Sequence, residues 1–168
     1  MLEKLNSFNK TSLNRYLRPC VGSDEIALRE VYEDAIRACD NSLYSKEQID
    51  AWSSLAYLPG VLDKSFKHGI GWVSCVNENI EAFAIKYPKN RLALLYCRGR
   101  SSRQGHATDL LHQIEDDTLN NRPVTLKTEA SLCSYKLLLR FGWRIISPEK
   151  IQIGGVDFSR YLMEKTLY

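Results

Sequence analysis

Leu94-Leu95-Tyr96-Cys97-Arg98-Gly99-Arg100-Ser101-Ser102-Arg103-Gln104-Gly105-His106-Ala107-Thr108-Asp109-Leu110-Leu111 changes character twice along its length. It opens on a nearly all-apolar run ending at Cys97, which predicts a strand buried on both faces. A polar loop follows, carrying Arg98, Arg100 and Arg103. From His106 the pattern becomes helical, with Ala107, Leu110, Leu111, Ile114 and Thr118 on one face. The first turn of a helix has backbone N–H groups without intrahelical partners, and the helix dipole adds partial positive charge there. A loop feeding such a turn can aim several donors at one diphosphate. At Gly105 and Ala107 a larger side chain would keep phosphate oxygens away from those amides. No Gly-Lys-Ser/Thr follows, so this is not a Walker loop, and it does not read G-x-G-x-x-G.

Upstream, Gly71–Val76, Ile80–Tyr87 and Arg91–Cys97 read as strands. The joins Asn77-Glu78-Asn79 and Pro88-Lys89-Asn90 are short enough to make them antiparallel neighbours. Earlier still, Leu13 begins a strand that stops at Pro19. Ser23 or Asp24 is placed to cap a helix bearing Ile26, Leu28, Val31, Tyr32, Ala35 and Ile36. Ser45 with Gln48 forms a capping box for a helix from Lys46 to about Ser54, presenting Ile49 and Trp52. Pro59 begins an irregular or helical stretch toward His68, and residues 1–12 are a polar segment expected to be flexible. Downstream, Val124–Thr128 is a strand, and Ser131–Phe141 a helix ended by Gly142. Trp143–Ser147 and Val156–Met163 are strands joined across Gly154-Gly155. No repeat or linker interrupts the 168 residues, so one domain over 1–168 is expected.

The six residues Ser102-Arg103-Gln104-Gly105-His106-Ala107 resemble the acetyl-CoA-binding motif of GNAT N-acetyltransferases, R/Q-x-x-G-x-G/A after a strand. Gly105 and Ala107 match, and Ser102 stands where the family has Arg or Gln. A second segment, Glu129 to Trp143, resembles the family's N-x-x-A-x-x-φ-Y-x-x-x-G-F helix, with Ser131 for Asn and Ser134 for Ala. Tyr44 to Trp52 is similar to the second helix of a small bacterial branch. The resemblance implies an α/β fold with a mixed, mostly antiparallel sheet of about six or seven strands flanked by about four helices. In it the fourth and fifth strands splay apart.

It further implies that Leu95, Tyr96 and Cys97 pair through their backbone with the pantetheine arm, with the diphosphate over Arg103, Gln104, Gly105, His106, Ala107 and Thr108. Arg98, Arg100 and Arg103 either attract phosphates or form a solvated loop face. Ser131 either bonds pantetheine or caps the next helix. Glu129 is the candidate general base, or else a surface carboxylate near a helix N-terminus, with Glu81 a weaker candidate. The family's proton-donating tyrosine falls on Leu138 here, so Tyr135, one turn earlier, is the candidate substitute, or a packing residue. Tyr44, Trp52, Tyr57 and Trp72 either line an acceptor pocket or belong to the core.

Composition narrows the classes. The net charge of +3 is mild and carries no dense basic stripe, which disfavours nucleic acid. No apolar run approaches the roughly 20 residues of a membrane span, and the first residues lack a signal-peptide pattern. Five scattered cysteines, none spaced C-x-x-C, point to free thiols in a reducing, cytoplasmic setting, with no metal site. The expected function is direct acetyl transfer from acetyl-CoA to an amine, by a monomer or homodimer. The rival is a non-catalytic acyl-CoA-binding domain; a nucleic-acid module using the arginine loop ranks last.

Overall fold

The computed structural model describes residues 14–119 and 123–168, so the segment 1–12 and the expected strand start at Leu13 lie outside the described residues. The elements run β1 (Arg15–Pro19), α1 (Glu25–Arg37), α2 (Lys46–Ser53), α3 (Asp63–His68), β2 (Ile70–Val76), β3 (Asn79–Lys86) and β4 (Leu92–Cys97). They continue with α4 (His106–Asp116), β5 (Val124–Ala130), α5 (Tyr135–Arg140), β6 (Arg144–Ile153) and β7 (Val156–Leu167). The strands form two antiparallel sheets, ordered β1-β2-β3-β4 and β5-β7-β6.

Alternation along β3 builds the core on both faces of the first sheet. Ile80, Phe83 and Ile85 pack with Leu28, Val31, Tyr32 and Ile36 of α1. Ala82 and Ala84 face the other way, where their small side chains let Leu110, Leu111 and Ile114 of α4 lie close to the sheet. Leu126, Leu138 and Met163 bring the second sheet and α5 into that same cluster.

Among the described residues the backbones of the two sheets pair where β4 and β5 begin to run side by side. Arg91 and Lys127 form an isolated parallel bridge, and Thr128 Oγ1 donates to the Leu92 carbonyl at 2.7 Å. A register jump then inserts Ala93 as an extra residue, since Lys86 faces Leu92 while Ile85 faces Leu94. Such a bulge bends a strand and increases its twist. Beyond it, among the described residues, β4 pairs with β3 alone, and its other edge turns toward a cleft.

Several expectations are corrected locally. Ile26 is 76% exposed, because it lies two residues before Leu28 and so on the opposite side of α1. The Asp24 carboxylate does not cap α1 but takes the Val21 N–H at 2.9 Å and two bonds from Arg18 at 2.8 Å, closing a 3₁₀ turn. The helix expected from Ser131 starts at Tyr135, because Leu132 N–H donates to Tyr44 Oη at 2.9 Å and residues 131–134 form a turn. The last two strands are longer than expected. The first of them, β6, continues through Pro148, because it is an edge strand, where a missing N–H is tolerated. Among the described residues no helix is long and apolar enough to cross a membrane.

Candidate functional site

The divergence of β4 from β5 opens a cavity of about 330 Å³. Its floor is β4 from Leu92 to Tyr96, and Thr128, Glu129 and Ser131 form the facing wall. Aromatic rings close it from above. Tyr32 of α1 lies 4.5 Å from Tyr96, Trp52 of α2 lies 5.4 Å from Tyr44, and Trp52 lies 6.3 Å from Phe158 of β7, ring centre to ring centre. Burial pushes the Tyr32 and Tyr44 hydroxyls up to about 12 and raises that of Tyr96 well above its ordinary value, so all three remain protonated.

The loop leaving β4 is held by a buried carboxylate. Glu81, only 3% exposed, accepts from Arg100 Nε at 2.9 Å and Ser101 Oγ at 2.5 Å. Burial pushes this carboxyl up, but the bonds from Arg100 and Ser101 outweigh that and leave it below its ordinary range. Arg98 donates to the Ile80 carbonyl at 3.1 Å and reaches Glu30 at 3.4 Å. Gly99 N–H donates to Asp34 at 2.8 Å, and a Cβ there would come within 2.5 Å of Ala38 on α1. Arg98 and Arg100 are therefore committed to protein partners, while Arg103 is exposed, with φ +59.

Gly105 caps α4 in the left-handed region, φ +91, which disfavours any side chain. The first intrahelical bond runs from Asp109 N–H to the Gly105 carbonyl at 3.0 Å, so the N–H groups of His106, Ala107 and Thr108 precede the helical ladder. The His106 side chain points into the core, 1% exposed, with Nδ1 2.8 Å from Ser74 Oγ. Sequence reasoning missed the cation that does reach this loop. Arg15 of β1 pairs with Asp109 and donates to the Gln104 carbonyl at 2.5 Å. Nothing in the local sequence around Arg15 signals this, since 94 residues separate it from Asp109.

On the β5 side, Glu129 forms an ion pair with Arg91 at 2.7 Å, and both line the cavity. Ser131 Oγ lies 3.1 Å from Ser134 Oγ at the mouth of the turn. Leu138, 2% exposed, lines the cavity in the register of the family's proton-donating tyrosine. Tyr135 instead stacks on Tyr161 at 4.8 Å, outside the lining. Trp72 lies on the opposite face of the sheet, in the α4 cluster, with its indole N–H 2.5 Å from Asp117. Tyr57 is exposed and does not line the cavity. Tyr44, Trp52, Leu95 and Tyr96 do line it, and burial holds the Cys97 thiol protonated, at about 11. Tyr32, Arg91 and Phe158 are lining residues that sequence reasoning overlooked, because single residues in unrelated segments leave no spacing signal.

No protein-family model matches the sequence, and no curated protein matches it. Solved structures do. A GCN5-related N-acetyltransferase (aminotransferase, class-II) from Rhodopseudomonas palustris superposes with a TM-score of 0.84 at 18% identity, over 92% of this chain and 98% of that one. The PaiA N-acetyltransferase of Thermoplasma acidophilum, solved in complex with coenzyme A, gives 0.68 at 15% identity, over 92% and 100%. The ribosomal-protein-S18-alanine N-acetyltransferase of Escherichia coli gives 0.63 at 16% identity, over 91% and 94%. Antiparallel sheets parting at β4 and β5, with a glycine-capped helix after β4, are thus the GNAT fold, the fold of the GCN5-related N-acetyltransferases.

Proposed function

We propose that this chain is an N-acetyltransferase that transfers acetyl directly from acetyl-CoA to an amine. One observation carries the reading: the edge of β4 that faces the cleft leads, through the loop of residues 98–105, into the donor-rich first turn of α4. The residues present fit the donor. Leu95, Tyr96 and Cys97 offer free backbone groups to an extended amide-bearing arm. His106, Ala107 and Thr108 present amides to a diphosphate, with Arg103, Gln104 and Gly105 supplying the rest of the turn. Ser131 stands opposite, within reach of the same arm. When bound, acetyl-CoA supplies an activated acyl group on a thiol leaving group.

The chain's own residues then orient and deprotonate. Only a neutral amine attacks a thioester, and Glu129 is the carboxylate that faces the cavity, placed to accept that proton directly or through water. Its pairing with Arg91 fixes its direction. Trp52, Tyr44 and Phe158 enclose the apolar side, where an acceptor is held against the acyl group. Tyr135 stacks on Tyr161, and Leu138 offers no hydroxyl, so neither supplies a proton to the departing thiolate.

Leu138 also favours a second reading, a non-catalytic acyl-CoA-binding domain. Calorimetric titration with acetyl-CoA, followed by thiol release on an amine panel, separates the two. Wild type is expected to bind with micromolar affinity, and Ala107→Glu to lose binding by blocking the amides. Glu129→Gln should keep binding and lower kcat/KM roughly a hundredfold or more. Binding without thiol release on any amine means the second reading is right. Absence of binding removes both.

A further inference from the structure

We propose that Cys39 and Cys133 form a dithiol modification site, which a peroxide or a small disulfide converts to a disulfide bond. Their sulfur atoms lie 2.9 Å apart although 94 residues separate them in the chain. Cys39 follows the end of α1, and Cys133 sits in the turn between β5 and α5. Cys133 is exposed and Cys39 half-buried, so an oxidant in solvent reaches the pair. Among the described residues neither belongs to a group of three or more His, Cys, Asp or Glu able to hold a metal ion.

The other thiols differ. Burial pushes Cys20 up to about 12 and Cys97 up to about 11, and raises Cys75 as well. Cys133 is the exposed member of the close pair, and its hydrogen bond with Cys39 favours the thiolate there. A thiolate is the reactive form. Cys133 attacks one oxygen of hydrogen peroxide, breaking the O–O bond to give a sulfenic acid and one water. Cys39 then attacks that sulfur, displacing the second water as the S–S bond forms. Two thiols are oxidised and one peroxide is reduced to two waters. With a small disulfide the sequence is two exchanges, releasing two small thiols.

The bond would join two walls of the cleft. α1 carries Tyr32, and the turn that holds Cys133 contributes Ser131 and Ser134 to the lining and bonds Tyr44 through Leu132. Neither cysteine lines the cavity, so the modification stands independently of the acetyl-transfer reading.

The test uses the reduced wild-type chain, treated with hydrogen peroxide or oxidised glutathione, alkylated, and mapped by mass spectrometry. The expected product has one linked peptide pair containing Cys39 and Cys133, reversed by dithiothreitol, with Cys20, Cys75 and Cys97 still open to alkylation after unfolding. Before oxidation Cys133 should alkylate roughly tenfold faster than those three. The linked form should melt about 5 °C higher than the reduced form. Cys39→Ser should divert Cys133 to a glutathione adduct or a sulfenic acid. Recovery of all five thiols after treatment, or over-oxidation of Cys133 in wild type without a link to Cys39, would overturn the proposal.

Discussion

Arg15, at the start of β1, pairs with Asp109 in the first turn of α4, and its guanidinium lies 3.4 Å from where a side chain at Gly105 would begin. Of the loop arginines, Arg98 and Arg100 are held by Glu30 and Glu81, while Arg103 is exposed. The cation that pairs with the first turn of α4 therefore comes from the far end of the sheet.

Arg15→Met should raise the Kd for acetyl-CoA roughly tenfold, in line with loss of one charge-assisted hydrogen bond of about 1.5 kcal/mol. The pair with Asp109 is partly solvated, so stability should fall by no more than about 1 kcal/mol. Binding of S-acetylpantetheine, which lacks the diphosphate, should be unchanged. Asp109→Asn frees the same guanidinium and should leave acetyl-CoA binding intact or tighter. Parallel titrations of both variants check this, and equal losses for the two ligands would mean Arg15 acts only on the loop.

Glu81 makes the loop sensitive to acid. Its folded carboxyl is held below the ordinary range, so it stabilises the chain fully above the unfolded value of about 4.3. That contribution is lost as pH falls through the lowered folded value. Glu81→Gln should cost about 1–3 kcal/mol at pH 7. The gap between variant and wild type should close toward pH 3, as urea midpoints across that range would report.

His106 acts at milder pH. Burial, and then the nearby Arg15 guanidinium, hold its imidazole below the ordinary value. The unfolded chain therefore takes up a proton as pH drops below about 6.5, before the folded chain does. Stability from this residue is complete above that pH and declines below it. His106→Gln should flatten the stability profile between pH 7 and 5, and Arg15→Met should flatten it in part. Chemical denaturation at a series of pH values measures both slopes.

Much of this architecture is legible because it is written in short-range pattern. Ser45 and Gln48 announce the start of α2, and both bonds of the capping box are present, at 3.2 and 2.9 Å. Three strands with short joins pair antiparallel as expected. The Gly105 turn appears where the spacing of strand and helix puts it. Where the reading strayed, a distant partner intervened. The helix after β5 starts late because Tyr44 bonds Leu132, and Asp24 abandons its capping role for Arg18. Trp72 falls outside the cleft because one aromatic residue reads the same on either face of a sheet, and Tyr57 because it sits exposed in the turn after α2.

Sequence alone determined which segments are strands and helices, and that a glycine-capped helix follows the most apolar strand. Periodicity, capping residues and turn chemistry act over a few residues, and they are explicit in the order of amino acids. The tertiary structure alone decided which charges neutralise which: Arg15 with Asp109, Arg100 with Glu81, Arg91 with Glu129. It also decided that Leu138 lines the cavity while Tyr135 does not, and that Cys39 meets Cys133. These pairings depend on the splay of β4 from β5 and on the side of the sheet each helix covers. Both follow from burying apolar surface over the whole chain, a sum that no local stretch contains.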